Sequence, residues 1–168
     1  TREGHAWREC RGCASCEGGG GRGKGMVVWA LAKVTDALIG GACVARMGDK
    51  PYLAGADALK VRHVEAVEAL LPREEGLIEV LESDFRDIKE ILRGVYLSRA
   101  YSDRTLELIA GYGELWSAQM LNAHLNSLGI ASSWLDARTV LTVEPGETAV
   151  SVDWDHSRSR TAEWHCRV

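Results

Sequence analysis

From Met26 onward the apolar positions fall into short repeating patterns that predict a helix-rich fold. Met26–Leu31 is a continuous apolar run, rich in β-branched residues at its start, and predicts a buried strand. Thr35 can cap a helix with its hydroxyl, and that helix is expected to reach about Arg46, with Leu38, Ile39 and Ala42 on one face. Gly48-Asp49-Lys50-Pro51 is a break. A second helix is expected over roughly Ala56–Leu71, carrying Leu59, Val67, Leu70 and Leu71. Pro72 sits where a third helix can begin, and Leu77, Leu81, Phe85, Ile88, Leu92 and Val95 recur along it at three- and four-residue spacings. Ser102 or Asp103 can cap a fourth, with Leu106, Ile109, Gly113, Trp116, Met120 and Ala123 as its stripe and Gly129 as its stop. Ile130–Leu135 and Thr139–Val143 read as two further strands. Strand, several helices, strand is an α/β pattern with a parallel sheet.

Composition divides the chain. Residues 1–25 hold 8 of the 18 glycines and 3 of the 5 cysteines, and no Leu, Ile, Val, Met or Phe. Such a segment cannot bury enough apolar surface to offset its ordering entropy and is expected to be disordered. Residues 26–153 carry the packed pattern, and residues 154–168 read as a polar tail, without a period in the last eight. The longest apolar run has seven residues, against roughly 20 for a bilayer span, so no membrane span is expected. With 20 basic and 24 acidic residues nothing indicates a general affinity for nucleic-acid phosphate.

Several segments have residue types suited to chemistry. Cys10, Cys13 and Cys16 have the two-residue spacing of thiolate metal ligation. A fourth ligand is offered only by His5 or Cys166, and no apolar shell surrounds the cluster, so no metal is assigned. Gly18–Gly25 imitates a phosphate loop, but Gly25 replaces its Ser or Thr and the run precedes a strand instead of following one. Lys33–Asp36 lies at a strand-to-helix junction, where ligands bind in open α/β sheets. Thr35 could hold an anionic group there, and simple helix capping is its plainer reading. Gly111 and Gly113 within one helix cost roughly 1 kcal/mol each relative to Ala, which close approach of another backbone or a ligand would offset. Glu114, at the edge of the packed stripe, needs a cationic partner or a ligand ammonium; a solvated or ion-paired carboxylate is the alternative. Asp136 and Arg138 are expected to form an ordinary salt bridge, and His63 and His124 to be surface or packing residues.

Two segments resemble a known family. Met26–Asp36 (MVVWALAKVTD) and Gly111–Arg138 (GYGELWSAQMLNAHLNSLGIASSWLDAR) are similar to aspartate kinase. The run Glu114–Gln119 most resembles the kinase domain of bifunctional aspartokinase–homoserine dehydrogenases of the plant type, and Ser151–Asp155 fits there as well. The resemblance spans roughly Met26–Arg160, more loosely through the middle helices. It implies a partial three-layer α/β/α sandwich of the amino-acid kinase (carbamate kinase-like) fold. The implied activity is transfer of the ATP γ-phosphoryl group, with Mg2+, to the β-carboxylate of L-aspartate, the first step towards lysine, threonine and methionine.

By the same resemblance Thr35 holds the substrate carboxylate, Glu114 pairs with its α-ammonium, and Ala30 matches the alanine of the family's strand-end Ser-Ala. Trp29 stands where the family has that serine. The family's Lys-Phe-Gly-Gly-Thr strand, whose lysine stabilises the transferring phosphate, has no counterpart in residues 1–25, so no catalytic residue is assigned. The expectation is a fragment holding part of the substrate site, inactive alone, homo-oligomeric if part of a longer enzyme, and plastidic in a plant-like source or cytoplasmic otherwise. A non-catalytic helical interaction module is the alternative.

Overall fold

A computed structural model describes residues 25–71, 74–145 and 150–167. Residues 1–24, with the cysteine cluster and the glycine run, lie outside the described residues, as does Pro72. Val28–Trp134 forms one compact unit, and the residues from Leu135 onward belong to another.

The first unit is helical. Its elements are α1 (Val34–Met47), a 3-10 turn (Lys50–Leu53), α2 (Ala54–Leu70), α3 (Glu75–Ser98) and α4 (Asp103–Ser127). In α1, Val34, Leu38, Ala42 and Ala45 are buried, which is one face at a 3.6-residue period. Ala56, Leu59, His63 and Val67 form the buried face of α2. Leu81, Phe85, Ile88, Leu92 and Val95 do the same for α3, as expected. Gly48 ends α1 with φ +84°, its N–H bonding the Ala45 and Val44 carbonyls, a conformation that favours glycine. Ser102 caps α4 as expected, its Oγ accepting the Thr105 N–H at 3.1 Å.

The four faces meet in one core, and aromatic rings fill its centre. Phe85 and Trp116 stack with centroids 4.3 Å apart, and His63 meets Trp116 edge-on at 4.8 Å. The Trp116 indole N–H donates to Asp84 Oδ2 at 2.9 Å. Salt bridges on the rim, Lys60–Glu82 at 2.7 Å and Lys89–Asp57, join α2 to the solvated face of α3.

Three expected strands are not formed as expected. Met26–Leu31 belongs to no strand, and Val27 and Trp29 are 86% and 81% exposed. A strand exists only where its backbone groups find a neighbour, and an apolar run by itself supplies none. Ile130–Leu135 is likewise irregular. There one side chain replaces the ladder: the Asn126 amide donates to the Ser132 carbonyl at 3.1 Å and accepts the Ser132 N–H at 3.2 Å. Thr139–Val143 is divided between a helical turn, α5 (Ala137–Val140), and a strand, β1 (Thr142–Pro145).

The second unit holds that turn, β1, β2 (Val150–Asp153) and α6 (Trp154–His165). The described residues form a two-stranded antiparallel sheet, with Val143 opposite Val152 and Thr142 opposite Asp153, and not the parallel sheet expected. Residues 154–165 of the polar tail are helical. Asp153 caps them, Oδ1 accepting the N–H groups of Asp155 and His156 at 3.1 and 3.0 Å. Ser157 is buried and its Oγ accepts the Thr142 N–H at 3.0 Å, tying α6 to β1. The Asp136–Arg138 salt bridge forms as expected at 2.7 Å, and the arginine holds the Asp136 carboxyl below its usual range. The architecture is thus helix-rich, with a small sheet.

Candidate functional site

The stretch before α1, the first turn of α1 and the middle of α4 come together in the first unit. Lys33 precedes α1 in a left-handed conformation, φ +66°, and no side chain caps the helix. The Val34 N–H instead closes a tight turn onto the Leu31 carbonyl at 3.1 Å. Thr35 therefore lies inside α1 and is not its cap, which corrects the expectation. The left-handed turn at Lys33 starts the helix two residues early, at Val34. Arg62 of α2 holds this turn from outside, Nη1 donating to the Ala32 carbonyl at 3.0 Å.

Gly113 is the point of closest approach. A Cβ built on it would lie 2.8 Å from the Ala30 Cβ and 3.1 Å from Val34 Cγ1. The close backbone approach anticipated for a glycine in mid-helix is thus made by Ala30 and Val34. Gly111 has no atom within 4 Å of such a Cβ. The two glycines should respond oppositely to alanine. Gly111→Ala is expected to stabilise the unit by about 0.5–1 kcal/mol through helix propensity alone. Gly113→Ala is expected to destabilise it by about 1–3 kcal/mol, because overpacking against Ala30 exceeds the same propensity gain. Urea denaturation of both variants checks this, and equal shifts would refute the packing account.

Glu114 follows Gly113 directly and is half-buried. Its Oε2 is enclosed and has no hydrogen-bond partner. Ser117 Oγ and His124 Nδ1, further along α4, are enclosed and unpartnered too. Sequence reasoning found Glu114 and passed over Ser117, although three-residue spacing from a semi-buried carboxylate was a usable signal. His63, read as a surface or packing residue, is fully buried in the core. Its Nδ1 lies 2.7 Å from the Leu59 carbonyl, and burial pushes its pKa below the ordinary histidine value.

Ala30, Thr35 and Glu114 thus sit on neighbouring stretches of chain around Gly113. A separate hollow of about 240 Å³ opens between the start of α3 and the second half of α4, lined by Leu77, Val80, Gln119, Asn122 and Trp134 among others. None of the three lines it.

Comparison with known proteins gives a consistent result. The chain is 33% identical over 145 residues to a chloroplastic bifunctional aspartokinase/homoserine dehydrogenase 1 of Zea mays, covering 84% of this chain and 16% of that protein. It is 33% identical over 142 residues to the chloroplastic enzyme 2 of Arabidopsis thaliana, with 83% and 16% covered. It is 30% identical over 121 residues to the Escherichia coli enzyme 2, with 71% and 14% covered. The chain therefore spans about a sixth of the length of these relatives. No protein-family model matches it, and no solved structure does. Relatives at 30–33% identity over most of the chain, in plants and a bacterium alike, show that it is a homologue of the aspartokinase-type portion of bifunctional aspartokinase/homoserine dehydrogenases.

Proposed function

We propose that this chain carries the amino-acid-binding part of an aspartate kinase. One observation supports the reading above the others: a half-buried carboxylate, Glu114, has an enclosed oxygen without a partner, beside the turn that opens α1. A buried carboxylate oxygen left unpaired is costly, and an α-ammonium group would satisfy it. The first-turn N–H groups of α1 and the Thr35 hydroxyl favour an anion, so a carboxylate of the same ligand would lie towards α1. Ala30, packed on Gly113, holds the two stretches together.

In the proposed reaction the β-carboxylate of L-aspartate receives the γ-phosphoryl group of ATP with Mg2+. Phosphoryl transfer depends on positioning and on neutralising charge at the phosphoryl oxygens. Among the described residues no group of three or more His, Cys, Asp or Glu is arranged for a metal ion, and Mg2+ in such reactions is held largely by the substrate phosphates and one or two carboxylates. In this reading the described residues bind and orient the amino acid. The parent fold of this reading is the three-layer amino-acid kinase sandwich. A plastid location fits the chloroplastic plant relatives, and no helix among the described residues is long and apolar enough to cross a membrane.

Calorimetric titration with L-aspartate tests the proposal. The chain is expected to bind L-aspartate, and Glu114→Gln to weaken binding at least ~10-fold, as loss of a charge-assisted contact requires. No binding by the unaltered chain, or equal binding by Glu114→Gln, would overturn it in favour of a non-catalytic helical module.

A further inference from the structure

An ammonium group carries three N–H donors, and Glu114 offers only one oxygen that is both enclosed and unpartnered. A second acceptor stands on the same helix. Ser117 follows Glu114 by three residues, which places the two side chains as neighbours on the surface of α4. Its Oγ is enclosed and unpartnered, like Glu114 Oε2. A serine within a helix ordinarily returns its hydroxyl to a carbonyl of the preceding turn. Nearby hydroxyls in this unit do find partners: Ser127 Oγ donates to the His124 carbonyl at 2.7 Å, and Ser132 Oγ to Asn122 Oδ1 at 3.0 Å. Ser117 does not, and neither atom opens onto the hollow beside α3.

We infer that Ser117 is a second contact for the ligand ammonium, its Oγ accepting one N–H while Glu114 accepts another. This rests on the reading of Glu114 given above and adds a specificity element to it. A carboxylate alone attracts any cation, whereas a carboxylate and a hydroxyl one turn apart select a group with several donors. The pair would favour an amino dicarboxylate over a dicarboxylate without the amine. Enclosure strengthens both bonds, because water does not compete for them. His124 Nδ1, the other unpartnered atom on α4, lies seven residues beyond Ser117, about 10 Å along the axis. That is too far to share the same ammonium.

The test is calorimetric titration of the full chain with L-aspartate and with succinate, which lacks the ammonium, for the unaltered chain, Ser117→Ala and Glu114→Gln. Ser117→Ala is expected to weaken L-aspartate binding about 10-fold and to lower the preference for L-aspartate over succinate. Its melting midpoint should stay level or rise, because an enclosed unpartnered hydroxyl is removed and alanine is the best helix former. Unchanged L-aspartate affinity in Ser117→Ala, with loss in Glu114→Gln, would overturn the inference and leave the Glu114 reading standing. Equal loss of both ligands with a lowered midpoint would show a structural role and also overturn it. No L-aspartate binding by the unaltered chain, or binding indifferent to Glu114→Gln, would remove the Glu114 reading and this inference with it.

Discussion

Trp116→Ala is expected to destabilise the helical unit by about 3–5 kcal/mol, the range for truncating a large buried aromatic. Against the ~5–15 kcal/mol total of an ordinary domain, that loss is enough to unfold part of the population. Trp116 is fully buried and is the largest fully buried side chain among the described residues. It stacks on Phe85 of α3, meets the ring of His63 of α2 edge-on, and lies 5.9 Å from the Tyr112 ring on its own helix. Its indole N–H donates to Asp84. One side chain thus joins three helices, and in a close-packed interior its removal leaves a cavity. Trp116→Phe keeps most of the ring contact and loses the bond to a carboxylate, so a smaller cost of about 1.5–3 kcal/mol is expected. Guanidinium denaturation followed by circular dichroism ranks the two. A cost below about 1 kcal/mol for the alanine variant would show that Trp116 is not the joint of this core. Glu114 stands two residues earlier on α4, so the same truncation should also weaken L-aspartate binding.

The helices were legible because their signals are local. Periodic apolar positions, Ser102 before α4 and Gly129 after it each act within a turn or two of chain, and the observed bounds fall within two or three residues of those read from sequence. The strands were not legible because a strand is a relation between segments. The run Met26–Leu31 reads the same whether or not a neighbour pairs with it. At Ser132 the outcome depends on where the Asn126 amide lies, and a hydropathy pattern does not record that. The helix α6 was missed for the opposite reason: its residues are almost all polar, so there was no stripe to see. The cap at Asp153 was the available signal.

Legibility of the candidate site follows the same division. Glu114 stood out because a carboxylate beside an apolar stripe conflicts with its surroundings, and such conflicts point to function more often than agreement does. Gly113 stood out because glycine is costly in mid-helix, and the structure supplies the compensating contact at Ala30. Ser117 gave no such conflict, since serine is unremarkable in a helix. Its spacing from Glu114 was the one usable signal, and its enclosed hydroxyl without a partner becomes visible in the structure. Thr35 was read as a cap because threonine caps helices often; the left-handed turn at Lys33 that displaces it leaves no mark in a hydropathy pattern.

Stability of the helical unit is expected to fall as pH drops below about 6.5, and His63 is the group responsible. Its ring is fully buried. Nδ1 donates to the Leu59 carbonyl at 2.7 Å, which leaves Nε2 as an enclosed acceptor without a partner. Protonation would place a charge and a new N–H donor there, facing no acceptor. Burial is the main cause lowering its pKa from the ordinary 6.5; the Leu59 bond opposes it, and the nearby Arg62 charge adds to it. The folded state therefore binds fewer protons than the unfolded chain between the folded pKa and 6.5. Stability is full above the unfolded value and declines as pH falls through that window, by at most about 1.4 kcal/mol per pH unit for one proton. His63→Leu should flatten the decline, since leucine is neutral and close in size, and the Leu59 carbonyl keeps its helical N–H partner. Denaturant midpoints at pH 7.5, 6.5 and 5.5 for both chains provide the measurement. The same slope in His63→Leu as in the unaltered chain would assign the acid sensitivity to other groups. Trp116 is packed against His63 and leads on to Glu114, so acidification in this window should also loosen α4 and weaken L-aspartate binding in the unaltered chain, and should spare the leucine variant.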